Sequence, residues 1–302
     1  MQVAKFGLAA MAGLAIVLGG CTSGGAASQS ASNTAVPATP TATPTQPSSD
    51  ALFDQAISAG PTWQAFHLKV ALSGSITAAA LKAAGNPSWA GIKSAVSVDG
   101  TAIEGDMDPV HLECNLTMSI PATTVTGAAI TGNLIILDPT AYLKLSSDGT
   151  KYHKFKLGTL SGQMGLKVAV PTPGGSSLAG IADDVSNLRK ALEATGVKPT
   201  LLGIDQIGGK EAYHIGLTVP LSKINGDIAA AVATARTGFF KQTKIDSATA
   251  AVWIYTDGLQ LAKVQVAGVS SDGGNLSFTA TLTNFGESVT ITAPAASEIS
   301  AN

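Results

Sequence analysis

Four histidines, two cysteines and a short acidic run are the residues from which this 302-residue chain could build a reactive site. His67, His111, His153 and His214 lie far apart, each in a stretch that reads as a strand. No two have the helical spacing with which paired imidazoles grip zinc. His67 and His214 fall on the polar faces of their strands, where a solvent-facing ring is expected. Asp99, Glu104, Asp106 and Asp108 offer carboxylate oxygens to calcium. They lack the EF-hand spacing, and Pro109 marks a turn, so a solvated loop is expected. Asp183 and Asp184 read as charges at a helix N-terminus rather than a catalytic pair. There is no Gly-x-Ser-x-Gly elbow, no Ser-x-x-Lys pair in a catalytic context, no Walker loop and no Gly-x-Gly-x-x-Gly. The expectation is a non-enzyme with no catalytic residue, no metal and no cofactor.

The cysteines differ from each other. Cys114 sits on an alternating apolar stripe and reads as a buried, inert thiol. Cys21 follows Lys5, an apolar run from Phe6 to Val17, and Leu18-Gly19-Gly20. The run is shorter than the 20 or so residues a bilayer span needs. Leu18-Gly19-Gly20-Cys21 resembles the lipobox of bacterial lipoproteins, in which the cysteine thiol receives a diacylglyceryl group. The other reading is an ordinary signal peptide cut near Gly20. On the lipobox reading residues 1–20 are removed and Cys21 becomes an acylated N-terminus, palmitate being a typical chain. Two or three chains hold a protein firmly on a membrane. The location expected is the outer face of a bacterial cytoplasmic membrane, within the cell envelope. With Cys21 acylated, Cys114 has no partner in the chain and a disulfide framework is excluded.

Residues 21–50 read as the acylated cysteine and a linker. Thr22 to Ser49 carries no charge, and Val36 is its only larger apolar residue. Too little can be buried there to offset the entropy of ordering. A coil of that length spans roughly 30 Å. Residues 51–302, roughly 250, suit one domain. Hydrophobic residues make up 45% of the chain and charged residues 13%, for a net charge of -2. That supplies a core, but no basic patch for nucleic acid.

The elements that must position any site read mostly as strands. Phe66, Leu68, Val70 and Leu72 alternate with polar or small residues. So do Leu112, Cys114, Leu116 and Met118; Ala141, Leu143 and Leu145; Tyr213, Ile215, Leu217 and Val219; and Leu276, Phe278, Ala280 and Leu282. Period two with one polar face means antiparallel strands solvated on one side. Asp99-Gly100, Asp148-Gly149, Gly208-Gly209, Asp257-Gly258 and Asp272-Gly273-Gly274 mark the turns. Ser176–Thr195 and Leu221–Ala235 carry helical apolar stripes, and shorter helical pieces are expected around Asp50–Ala59 and Ser75–Ala84. The fold class is α+β: a curved antiparallel sheet whose apolar concave face is covered by amphipathic helices. The same stripes describe a packed core and a lined cavity. The low aromatic content, 5%, tilts the reading towards a cavity.

The C-terminal hairpins carry a resemblance. Val252-Trp253-Ile254-Tyr255-Thr256-Asp257-Gly258-Leu259 precedes a strand through Lys263 to Val269. Leu276 to Leu282 leads into Thr283-Asn284-Phe285-Gly286, then Val289-Thr290-Ile291-Thr292-Ala293-Pro294. Ile207-Gly208-Gly209-Lys210-Glu211-Ala212-Tyr213-His214-Ile215 forms a mid-chain hairpin. These pieces, and their order behind a lipobox and linker, resemble the LppX/LprG family of actinobacterial envelope lipoproteins. The chain departs from that pattern at Tyr255, where the family has Asp, and in a longer Asp99–Thr131.

The resemblance implies a LolA/LolB-like half-barrel around an apolar space for acyl chains. It implies a lipoprotein that carries acylated lipids or lipoglycans across the envelope, an export pump being a candidate partner. The face that would line this space holds Leu68, Val70, Leu112, Leu116, Met118, Leu143, Leu145, Ile215, Leu217, Phe278 and Leu282. The alternative is a non-enzymatic envelope sensor or chaperone-like module on the same fold. A hydrolase would need a Ser-His-Asp cluster assembled from distant residues.

Overall fold

A computed structural model describes residues 47–52, 55, 65–83, 91–108, 110–123, 126–156, 198–219, 245–270 and 274–300. The signal segment 1–20, Cys21, most of the linker, the helices expected at Ser176–Thr195 and Leu221–Ala235, and Asp183 and Asp184 lie outside them.

Twelve strands make one sheet: β1 Phe66–Ile76, β2 Val96–Ser97, β3 Thr101–Asp108, β4 Glu113–Ile120, β5 Ile130–Leu137, β6 Thr140–Leu145, β7 His153–Lys156, β8 Thr200–Ile207, β9 Lys210–Val219, β10 Ile245–Tyr255, β11 Leu261–Ser270 and β12 Asn275–Thr283. One short helix, α1, spans Ala78–Ala83. The order is β7-β6-β5-β4-β3-β1-β12-β11-β10-β9-β8, with β2 on β1. Two meanders, β3 to β7 and β8 to β12, are therefore joined by β1, which pairs antiparallel with both β3 and β12. The path does not close on itself, as in a half-barrel.

Alternation explains the strands. In β4, Cys114, Leu116, Met118 and Ile120 are buried while Asn115, Thr117 and Ser119 are exposed. Pairing keeps like faces together, since residues opposite each other in a ladder point the same way. One apolar row crosses ten strands: Leu145, Gly132, Met118, Ile103, Val70, Ala280, Val264, Val252, Ile215 and Leu201. Gly132 belongs in that row because a Cβ there would press on Leu145 at 2.8 Å and Met118 at 3.0 Å. Gly105, at φ +155, allows β4 to approach so closely that any Cβ would collide with the Asn115 carbonyl.

Several expectations need correction. Leu112 is not on β4: it lies in the β3–β4 turn, half-buried, with φ +57, and His111 shares that turn. Glu104, Asp106 and Asp108 lie on β3 and not in a loop. Ser75 and Ile76 end β1, so the helix there starts later than expected and its described part is Ala78–Ala83. Helical structure covers 49–52, where the short piece around Asp50 is expected, and the Ser49 hydroxyl donates to the Pro199 carbonyl at 2.7 Å.

The outer face is not uniformly solvated either. Tyr142, expected on a polar face, is buried with Ile135, Tyr152 and Ile291, against Val289 and Ile299 of the C-terminal segment. That segment is pinned where Tyr152 N–H donates to the Glu298 carbonyl and Ser300 N–H to the Tyr152 carbonyl, each at 2.8 Å.

Candidate functional site

Ten of the eleven residues expected to line the apolar face do share it. Leu68, Val70, Leu116, Met118, Leu145 and Leu282 are buried in one cluster, with Leu143 and Phe278 half-buried against it. Ile215 belongs to a second cluster with Leu52, Val252 and Ile254. Leu217 is buried in the row that Phe278 also occupies. Leu112 is not brought to the face. Ile103, Leu134, Val252, Val264 and Val266 are face residues that the site reading left out. On β3 the signal was present: Thr101, Ile103, Gly105 and Met107 alternate with Ala102 and three acids.

Burial along the face is graded. At its centre Leu68, Val70 and Leu282 are fully buried and Ile103 nearly so. One row further along the strands stand Leu72, Phe278, Val266, Ala250 and Leu217. Of these, Leu72, Phe278 and Ala250 are half-buried, Val266 is 38% exposed, and only Leu217 is buried. The next row places Leu276 between Gly74 and Gly268. Small residues there do not fill the volume that Leu, Ile and Met fill at the centre. We call this the loose end of the face.

Chemically the face is mute. Apart from the buried Tyr and Trp side chains, Thr101 is the only buried polar side chain among the described residues. The Cys114 thiol is pushed up to about 12 by burial, so it is not a nucleophile at neutral pH. Two hollows lined by described residues lie off the face. One, of about 180 Å³, is bounded by Phe66, His67, Asp106, Asn284 and residues 287–290. The other, of about 460 Å³, is shallow and bounded by Ala95, Val96, Ser97, Ala122 and Thr123.

The charges sit on the outer face. His67 Nδ1 meets Asp106 Oδ1 at 2.8 Å and its Nε2 meets Glu104 Oε1 at 3.4 Å, while Lys69 Nζ reaches Glu104 Oε2 at 3.0 Å. The Lys69 hydrogen bond leads in holding the Glu104 carboxyl below its usual value; burial opposes it, and the His67 hydrogen bond and the Lys69 and His67 charges add to the lowering. In the β3–β4 turn, burial pushes Asp108 up, but hydrogen bonds from His111 and Val110 outweigh it and the net direction is down. Asp108 in turn raises His111. On β9 and β10, His214 stacks on Trp253 at 4.2 Å between ring centres. Trp253 Nε1–H donates to Asp205 Oδ2 at 2.8 Å, and Lys263 Nζ lies 4.1 Å from the Trp253 ring centre. His67 and His214 therefore lie on polar faces as expected, but each is engaged by carboxylates. Tyr255, where the chain departs from the family pattern, is buried and donates its hydroxyl to the Leu282 carbonyl at 3.0 Å.

No family model matches this chain, and no curated protein matches it. Solved structures do, two lipoproteins among them. The lipoprotein LppX of Mycobacterium tuberculosis matches at 15% identity and a TM-score of 0.41, over 80% of this chain and 97% of that one. LprF from Mycobacterium bovis matches at 16% identity and a TM-score of 0.41, over 82% of this chain and 96% of that one.

Proposed function

We propose that this chain is a lipid-binding lipoprotein of a bacterial envelope that works without catalysis. Cys21 ties it to the outer face of the cytoplasmic membrane. Its loosely filled apolar rows hold the acyl chains of a lipid or lipoglycan, which it carries across the envelope, with an export pump as candidate partner. The observation that supports this is the graded apolar face: an uninterrupted hydrophobic surface, tight at its centre and loosely filled at one end. Such a face offers burial and nothing else. Each methylene removed from water gains about 0.8 kcal/mol, so a sixteen-carbon chain gains on the order of 12 kcal/mol before ordering costs are subtracted. The expected amphipathic helices would complete the enclosure.

The test is to purify the full chain from membranes and identify its lipids by mass spectrometry after extraction. A stoichiometric acylated lipid, distinct from the groups covalently held at Cys21, is the expected result. A chain that carries only its own anchor would remove the carrier reading. Cys21→Ser checks the anchor separately: that variant should leave the membrane fraction.

A further inference from the structure

The first described residues lie at one identifiable corner of the sheet. Ser49 donates to Pro199, one residue before β8 starts, and Leu52 is fully buried in the cluster beneath β9 and β10. Register then fixes which strand ends share that side. Thr200 pairs with Gly216 near the end of β9, and Val219 pairs with Ala248 near the start of β10. Ile245 pairs with Ser270 at the end of β11, and Val269 with Asn275 at the start of β12. This is the loose end of the apolar face. Val266 is 38% exposed on the apolar face, and Val269, paired with Ser247 and Asn275, is 54% exposed on the other face of the same strand end. Lys198, beside the Ser49 contact, is exposed and offers a cation. The opposite end of β8–β11 is charged instead, with Lys210, Glu211 and Asp257 at its turns, all exposed.

We infer that the β11–β12 end of the sheet rests on the membrane that holds the anchor, with Val269 entering the bilayer and Val266 facing it. This rests on the lipoprotein reading. From Cys21 to Pro47 is 47 − 21 = 26 residues. A coil of that length reaches about 25–31 Å, comparable to a small domain, so the corner that receives it is held nearest the lipid. The surface beside the tether carries the exposed Val266 and Val269, has Thr200, Ser270 and Asn275 at its strand ends with Asp246 and Lys198 as the charges near them, and is open to the rows where acyl chains would lie. Lipid leaving the bilayer would then meet the loose end first and never cross water.

The experiment uses the full acylated chain in vesicles of phosphatidylcholine and phosphatidylglycerol whose acyl chains carry nitroxides. A thiol-reactive bimane is placed at Val269→Cys or at Asp257→Cys. Cys21 is consumed by acylation, and Cys114 is buried with its thiol pushed up to about 12, so labelling is selective. The two sites lie at opposite ends of β11, about 27 Å of strand apart. The expected result is at least twofold quenching at Val269→Cys and none at Asp257→Cys. Equal quenching at both sites, quenching at Asp257→Cys alone, or none at either on floating vesicles overturns the orientation and leaves lipid carriage untouched. A chain that does not float with the vesicles overturns the anchor, and the orientation with it.

Discussion

Val70 and Phe278 lie on the same face of the same sheet, a short step apart in adjacent strands, yet one is fully buried and the other half-open. Around Val70, the rows are filled by Ile103, Met118, Leu68 and Leu282. Around Phe278, the neighbours are Leu72, Val266, Ala250 and Gly268. Residue class is the same in both regions; volume is not. A face can thus be uniformly hydrophobic and still be core at its centre and unfilled surface at one end. Packing density, rather than polarity, separates a structural region from one able to take a ligand.

Truncation should show the contrast most strongly. Leu116→Ala removes a fully packed side chain at the centre and is expected to cost about 3 kcal/mol, within the 2–5 range for such cavities. Urea unfolding measures it as a lowered midpoint with unchanged slope. A loss under about 1 kcal/mol would show that the centre is not the core, and the comparison would collapse.

Tyr255→Phe probes the outer side of the same sheet. Only the hydrogen bond to the Leu282 carbonyl is lost, which is expected to cost about 1 kcal/mol by the same melts. Val266→Asp at the loose end should cost less than about 1 kcal/mol, because the side chain already meets solvent. Its effect should fall on bound lipid instead, read as reduced lipid per protein after extraction. A Val266→Asp protein as unstable as Leu116→Ala would make the loose end part of the core.

The period-two alternation made β1, β4, β6, β9 and β12 legible, and a shared face followed from it. What escaped had physical causes. β3 read as a solvated loop because Glu104, Asp106 and Asp108 dominate it, although its inward residues alternate correctly. Leu112 extended the β4 pattern by one step too many, since a left-handed φ breaks the alternation and nothing in a leucine announces it. The burial of Ile135 and Tyr142 depends on the C-terminal segment lying over them, a contact between residues more than 140 apart in sequence. The grading of the apolar face depends on which residues pair across strands, and a single strand does not reveal its neighbours.

The smallest expected effect concerns pH. The Lys69 ammonium holds the Glu104 carboxyl below its ordinary 4.5, so folding is favoured above that value and the contribution is lost as pH falls through the lower, folded value. Because Glu104 is 43% exposed, solvent screening reduces this to a few tenths of a kcal/mol at most. Glu104→Gln should flatten the fall in stability below about pH 4.5 and leave it unchanged near neutrality. A variant with the same acid slope as the parent would place that slope elsewhere.

The most direct measurement of lipid carriage is photocrosslinking. The full chain would be incubated with vesicles containing a phospholipid with a diazirine on its acyl chain, irradiated, and mapped by peptide mass spectrometry. The expected adducts fall on Leu72, Phe278 and Val266, at the loose end of the apolar face, and spare Leu68 and Ile103 at its centre. Adducts confined to the outer face, around Thr117, Asn133 and Lys144, or an absence of adducts on the sheet, would contradict the account.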